Sequence, residues 1–340
     1  EDEDIITGQE LKEMNDEELK ALLQRKQNII FSRVDPEDKL HIVKTLEGQG
    51  EIVAVTGDGV NDAPALRRAH IGVAMGQRGT DVAKEASRLV LLDDSFPTLV
   101  HAIEEGRTIY NNLKKTVHAS LTTNIAELAL VLLGLLGVAL WNYPIPILAV
   151  QILAIDLLGE IMPLTFLTFD PPGRGVMTEP PRDPEAHMIT RRSATEFTVL
   201  GLLIGLLAFA NFIFFMEREG ITLTVDDTNI LPYFQVTALA YATIVFCQYV
   251  NILQWRQEYR SLFTRRFFSN KILHASIAIS IGLVLLAIYA PGLSDFLSFD
   301  GLAVLDWTFV GIAALLYLAA FEVLKALRRW QDKKTTERSE

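Results

Sequence analysis

The chain has 340 residues, of which 42 are acidic and 31 basic, giving a formal charge of −11; half are hydrophobic. A single cysteine, Cys247, excludes an internal disulfide and a cysteine-based zinc site. The acidic balance excludes nucleic acid as the main partner. Composition changes abruptly along the chain. Residues 1–100 carry 20 acidic and 12 basic residues in a polar mixture, and long apolar runs with few charges follow from about Thr116. A soluble segment joined to a membrane domain is expected.

Within the soluble segment, four short apolar runs read as buried strands: Asn28–Phe31, Ile52–Thr56, Ile71–Ala74 and Leu89–Leu92. Helical stretches separate them at Pro36–Leu46, Asn61–Ala69 and Thr80–Ala86. Strands alternating with helices imply a parallel sheet, and in such sheets the chemistry sits beyond the carboxyl ends of the strands. The string Gly57-Asp58-Gly59-Val60-Asn61-Asp62-Ala63-Pro64 lies there. Asp58 and Asp62 flank the turn at i, i+4 with Asn61 between them, and hard oxygen ligands of this kind suit Mg²⁺. Lys39 opens a helix after the preceding strand, where its ammonium can meet a phosphate. A polar turn with an aspartate capping a helix is the alternative reading.

These residues carry a resemblance. Thr56–Leu66 resembles the hinge motif of P-type cation-transporting ATPases, a branch of the haloacid dehalogenase superfamily. Phe31-Ser32-Arg33-Val34-Asp35-Pro36 followed by Lys39, Ile71–Gly76, Asp93-Asp94-Ser95-Phe96 and the stalk-like Ile109–Lys115 also fit. The resemblance implies that Asp58 binds Mg²⁺, that Asp62 and Asn61 complete a phosphate site, and that Lys39 neutralises the phosphoryl group. It implies a partial Rossmann-like phosphorylation domain over 1–106, a stalk and transport domain over 107–329, and a cytosolic tail over 330–340. The family's nucleophile lies in an Asp-Lys-Thr-Gly-Thr string that this sequence does not contain. The chain therefore looks like the C-terminal portion of a pump. ATP is expected to be bound mainly by the remaining N-terminal part, and the isolated chain is expected not to hydrolyse it. A pump remnant without catalysis and a membrane-anchored phosphatase-like protein are the alternatives.

Six segments are long and apolar enough to cross a bilayer, at about 116–140, 145–168, 194–216, 232–255, 272–290 and 303–324. Basic residues concentrate in alternate connections: Arg174, Arg182, Arg191 and Arg192; then Arg256, Arg260, Arg265, Arg266 and Lys271; then the tail from Lys325 to Arg338. The other connections hold only Arg218. Both termini are thus expected in the cytosol, in a multi-pass protein of the plasma membrane.

Ionisable groups inside a span are costly and mark functional sites by default. Asn124 and Glu127 share one face of the first span, and Asp156 and Glu160 one face of the second. Pro163 deprives the Gly159 carbonyl of its helical partner. Together these groups predict a cage for a hard cation. Gln248 and Asn251 divide between ligand and packing roles; Glu322 is expected to be a solvated partner of Lys325 and Arg328. In the pump family, Asn124, Glu127, Asp156, Gly159 and Glu160 match ion-binding positions. Reticulum-type calcium pumps generally have Asn, Thr and Asp where Asp156, Gly159 and Glu160 stand, and a glutamate where Val245 stands. Sodium/potassium-type pumps resemble the chain at Glu127, Asp156 and Gln248. The pattern leans towards Na⁺, K⁺ or H⁺ over Ca²⁺.

Overall fold

A computed structural model describes residues 4–25, 28–173, 175–183, 186–220, 224–227, 230–257, 261–264 and 267–339, with side chains to Gln331. Arg174, Arg260, Arg265 and Arg266, and the side chains of Lys333, Lys334 and Arg338, lie outside the described residues. The chain divides into two compact units, Glu1–Glu104 and Glu105–Glu340.

The first unit opens with β1 (Asp4–Thr7), α1 (Gly8–Glu13), α2 (Asp16–Arg25), β2 (Ile29–Ser32) and α3 (Pro36–Gly48). Then come β3 (Ala54–Gly57), a 3₁₀ turn at Val60–Asp62, α4 (Ala63–Arg68), β4 (Ile71–Met75), α5 (Asp81–Ala86) and β5 (Leu89–Leu91). Local chemistry sets these boundaries. Thr7 and Glu10 close a capping box on α1, Pro36 starts α3, and the Thr80 hydroxyl caps α5. The expected strands lie within a residue or two of those observed; β1, α1 and α2 were not anticipated, because Asp4–Thr7 is too short to show a period.

All strand pairs are parallel, but the sheet is in two pieces. β1 pairs with β2, and separately β3–β4–β5 form a three-stranded sheet with Ala54 opposite Ile71 and Val73 opposite Leu89. Parallel pairing is as expected, and the division coincides with a gap. An open slot of about 590 Å³ lies between β2 and β3, lined by Ile29, Phe31, Ile42, Leu46, Val53 and Ala54 among others. The inner core is correspondingly small: Val43, Val53, Ala65 and Ala69 in one cluster, Leu66, Ala74, Ala83 and Ala86 in a second, and Val73, Leu91 and Leu99 in a third.

The long helix α6 (Phe96–Trp141) carries the first span. The second span is three segments in succession: α7 (Ala149–Ala154), a π-helix at Ile155–Glu160, and α8 (Ile161–Leu167). There follow α9 (Arg191–Glu219), α10 (Leu231–Trp255), α11 (Lys271–Tyr289), the short α12 (Leu293–Leu297) and α13 (Val304–Ser339). Six helical stretches have the length and apolarity to cross a membrane, the last taken to Gln331. α10 is the hub of this unit: 83% of its apolar window is buried, against 44% or less in the other five. Small residues let helices approach closely. A Cβ at Gly205 of α9 would lie 2.6 Å from the Ala129 Cβ of α6, and one at Gly201 would lie 2.5 Å from the Thr122 carbonyl oxygen.

At one end of this unit, a buried ionic network ties four elements together. The Asp170 carboxylate receives Arg256 Nε at 2.9 Å and Nη2 at 2.8 Å, and pairs with Lys115 at 3.2 Å. Asn112 donates to the Asp170 carbonyl oxygen at 2.6 Å. Arg256, with its side chain only 2% exposed, also donates to Phe267 O and Ser269 Oγ.

Candidate functional site

Two separate constellations carry chemistry, one in each unit. In the first unit, β3 ends in the turn Gly57–Asp62. Gly57 is required by close approach, since a Cβ there would sit 2.5 Å from the Asp62 Cβ. Asp62 Oδ1 accepts from Lys39 Nζ at 2.6 Å, and its Oδ2 accepts from the amides of Asp58 and Gly59 at 3.3 and 3.2 Å. Burial pushes the Asp62 carboxyl up, but the Lys39 hydrogen bond and the Gly59 and Asp58 amides outweigh it and hold the carboxyl below its ordinary value. Asp58 and Asn61 are exposed at the rim of the turn. Asp62 thus anchors the turn and pairs with Lys39, while Asp58 is left exposed. Of the four residues expected here, Lys39, Asp62 and the Asp58 amide are joined by hydrogen bonds, and Asn61 lies in the same turn.

In the second unit, carboxylate oxygens of Glu127, Asp156 and Glu160 all lie within 4.8 Å of one another. Glu127 and Glu160 are buried and Asp156 is exposed. One oxygen of each buried glutamate has no hydrogen-bond partner, and neither amide atom of the fully buried Gln248 has one. Gln248 stands close to Gly159, its Oε1 3.6 Å from where a Cβ would be; the Val245 methyls stand at 3.3 and 3.5 Å. Buried polar groups are normally satisfied, and these atoms have no hydrogen-bond partner among the described residues. Asn124 is on the exposed side of α6.

The π-helix was not legible in the sequence. Its wider turn closes with the Ile161 amide donating to the Asp156 carbonyl, and such segments recur at functional sites. The Gly159 carbonyl, expected to be free, accepts from Ser280 Oγ of α11 at 3.2 Å, and Ser280 also donates to Leu158 O. The neighbouring span α11 thus supplies this carbonyl with a partner. The only signal was Ser276 and Ser280 at i, i+4 on one face of that span.

Asn251 has a packing role: its Nδ2 donates to Ala119 O at 2.9 Å and its Oδ1 accepts from Tyr317 at 2.8 Å. Glu322 differs from expectation. Its Oε1 accepts the Leu262 amide at 2.8 Å, while the fully buried Lys325 donates to the Gln254 carbonyl at 2.9 Å and Arg328 pairs with Glu196. Glu322 and Lys325 still attract one another along α13, while their hydrogen-bond partners come from the connection after α10 and from Gln254 of α10, and the Arg328 partner from α9.

Two family models match the chain: "Cation transporting ATPase, C-terminus" over residues 144–327, and "haloacid dehalogenase-like hydrolase" over residues 7–70. Similar proteins include a calcium-transporting ATPase of Bacillus subtilis, 38% identical over 92% of this chain and 33% of the relative. The human calcium-transporting ATPase type 2C member 1 is 35% identical over 96% of the chain and 34% of the relative. The rat potassium-transporting ATPase alpha chain 2 is 34% identical over 95% and 33%. The chain thus spans about a third of the length of these relatives. With more than half of its length matched by the first model, the chain belongs to the P-type cation-transporting ATPase family and corresponds to that family's C-terminal portion.

Proposed function

We propose that this chain forms the C-terminal part of an ATP-driven cation pump, with an Mg²⁺–phosphate site and a membrane cation site, and that Glu127, Asp156 and Glu160 hold the transported cation. The observation that carries the reading is the convergence of three carboxylates on one point inside a membrane unit, two of them buried and incompletely bonded. Desolvated acids are tolerable when a cation replaces the lost water. Ca²⁺ is the proposed cargo: it takes several oxygen ligands in flexible geometry, three carboxylates nearly balance its charge, and two of the relatives named above are calcium-transporting. The unpartnered Gln248 amide favours a second reading, a monovalent ion coordinated partly by neutral oxygen. Asn124 and Gly159 are proposed as further ligands.

Asp156 and Asn124 face outward, and an ionised group facing hydrocarbon is expensive. This supports a covering helix from the N-terminal part of the pump. The slot between β2 and β3 supports the same partner in the first unit, since both strand edges are open to another strand. There Lys39 neutralises phosphoryl charge, Asn61 bonds phosphate oxygen, and Asp58 with Asp62 behind it holds Mg²⁺. When bound, Mg²⁺ supplies charge neutralisation for phosphoryl transfer from ATP. The basic connections support cytosolic termini, and the plasma membrane is the proposed location. α6 carries Glu127 and is the proposed mechanical link to the phosphate site.

The test is ATP hydrolysis by the complete pump containing this chain. Stimulation by micromolar Ca²⁺, lost in Glu160→Gln, is expected. Stimulation by Na⁺ or K⁺ alone would transfer the assignment to the monovalent reading, and no stimulation by any cation would reject a pump.

A further inference from the structure

The Asp58 turn is held from two sides. Asp62 receives its amides from within, and from the neighbouring loop the Thr80 amide donates to the Asp58 carbonyl oxygen at 2.8 Å. Thr80 follows the loop Gly76–Gly79, which leaves β4 and folds back on itself. That loop is cramped: a Cβ at Gly79 would lie 2.0 Å from the Met75 carbonyl oxygen. The Gly76 amide donates to Leu91 O at 2.8 Å and the Gln77 side-chain amide to Leu92 O at 3.2 Å, and one carboxylate takes two further backbone amides of the loop. Asp94 Oδ1 accepts the Gln77 amide at 3.0 Å, and Oδ2 accepts the Arg78 amide at 2.9 Å. The Arg78 guanidinium stands 3.6 Å away, and the Asp94 side chain is 6% exposed. The Gln77 amide, with the Arg78 amide and guanidinium, holds this carboxyl below its ordinary value although burial opposes them. Asp94 itself adopts a left-handed backbone, φ 49°, which turns its carboxylate back toward the loop.

We infer that Asp94 is a positioning residue for the Mg²⁺–phosphate turn, acting through the Gln77–Thr80 loop to fix the Asp58 carbonyl and so the direction of the Asp58 carboxylate. The inference rests on the proposed role of Asp58. Two consecutive amides need two acceptor oxygens, which an aspartate has and an asparagine lacks. Asp94 would then act on metal affinity without touching the metal.

The experiment uses the complete pump containing this chain, in detergent and in a Glu127→Gln, Glu160→Gln background that silences the membrane cation site, with Mn²⁺ as the spin probe for the Mg²⁺ position and hydrogen exchange read on the peptide containing Asp58–Asp62. Asp94→Asn is expected to weaken Mn²⁺ binding roughly tenfold, as loss of a ligand-orienting partner does, and to speed exchange across that peptide. Thr80→Pro, which removes the donated amide while keeping a compatible φ of −67°, should do the same and serves if Asp94→Asn does not fold. Glu85→Gln, at an exposed position of α5, should leave both readouts unchanged. Faster exchange confined to residues 76–79, with Mn²⁺ affinity and Asp58–Asp62 exchange as in the unaltered chain, would overturn the inference. Asp58→Asn that binds Mn²⁺ as tightly as the unaltered chain would instead overturn the role of Asp58, and the metal arm of the inference with it.

Discussion

Replacing Asp170 by Asn removes the shared acceptor of the network at one end of the second unit. Arg256 is buried with its side chain 2% exposed, and two of its nitrogens bond Asp170 at 2.8–2.9 Å. Breaking a buried pair from one side costs about 3–5 kcal/mol, mainly because a desolvated charge is left behind. Here Arg256 keeps Phe267 O and Ser269 Oγ, and Lys115 keeps Asn112 Oδ1 at 3.0 Å. The expected loss is therefore roughly 2–4 kcal/mol, with part of the penalty retained by those bonds. For a unit of this size that corresponds to a fall in Tm of about 5–15 °C. Thermal unfolding of the detergent-purified chain reads it directly. Adding Lys115→Met should leave the Asp170→Asn loss largely intact, because Arg256 holds the shorter bonds. A fall of under about 2 °C would refute the reasoning that the network is desolvated and jointly stabilising.

Two further predictions concern other parts of the chain. Because Asp62 has a folded-state pKa below its ordinary 3.8, its ionised form stabilises the first unit above that value, and the contribution is lost as pH falls through the lower folded-state value. Lys39→Met should move the acid-unfolding midpoint upward; an unchanged midpoint would mean the pair contributes nothing. Gly205→Val should separate α6 from α9, where even a Cβ meets Ala129 at 2.6 Å, and lower stability by about 1–3 kcal/mol on overpacking. A Tm equal to that of the unaltered chain would contradict the close contact.

The sequence made legible the features that depend on local pattern. The apolar lengths located six spans to within a few residues at most boundaries, and strand–turn spacing brought Lys39 to Asp62 across 23 positions. Helical spacing brought Asp156 and Glu160 to one face, but only the tertiary fold carried Glu127 to them. What stayed hidden depends on partners far along the chain. The π-helix has no residue signature, and Ser280 reaches Gly159 from 121 positions away. The break between β2 and β3 could not be read either, because each strand looks complete by itself and pairing is a property of the set. Gly201 and Gly205, at small-xxx-small spacing, were a readable signal for the α6–α9 contact.

Three carboxylates converge in the membrane unit, and on the proposed function they hold a cation. Equilibrium Ca²⁺ binding to the complete pump, compared with Glu127→Gln and Glu160→Gln, tests it most directly. The account predicts saturable binding that both neutral variants abolish or weaken by orders of magnitude, and that Asp58→Asn leaves unchanged. Both glutamine variants binding Ca²⁺ as the unaltered pump does would contradict it.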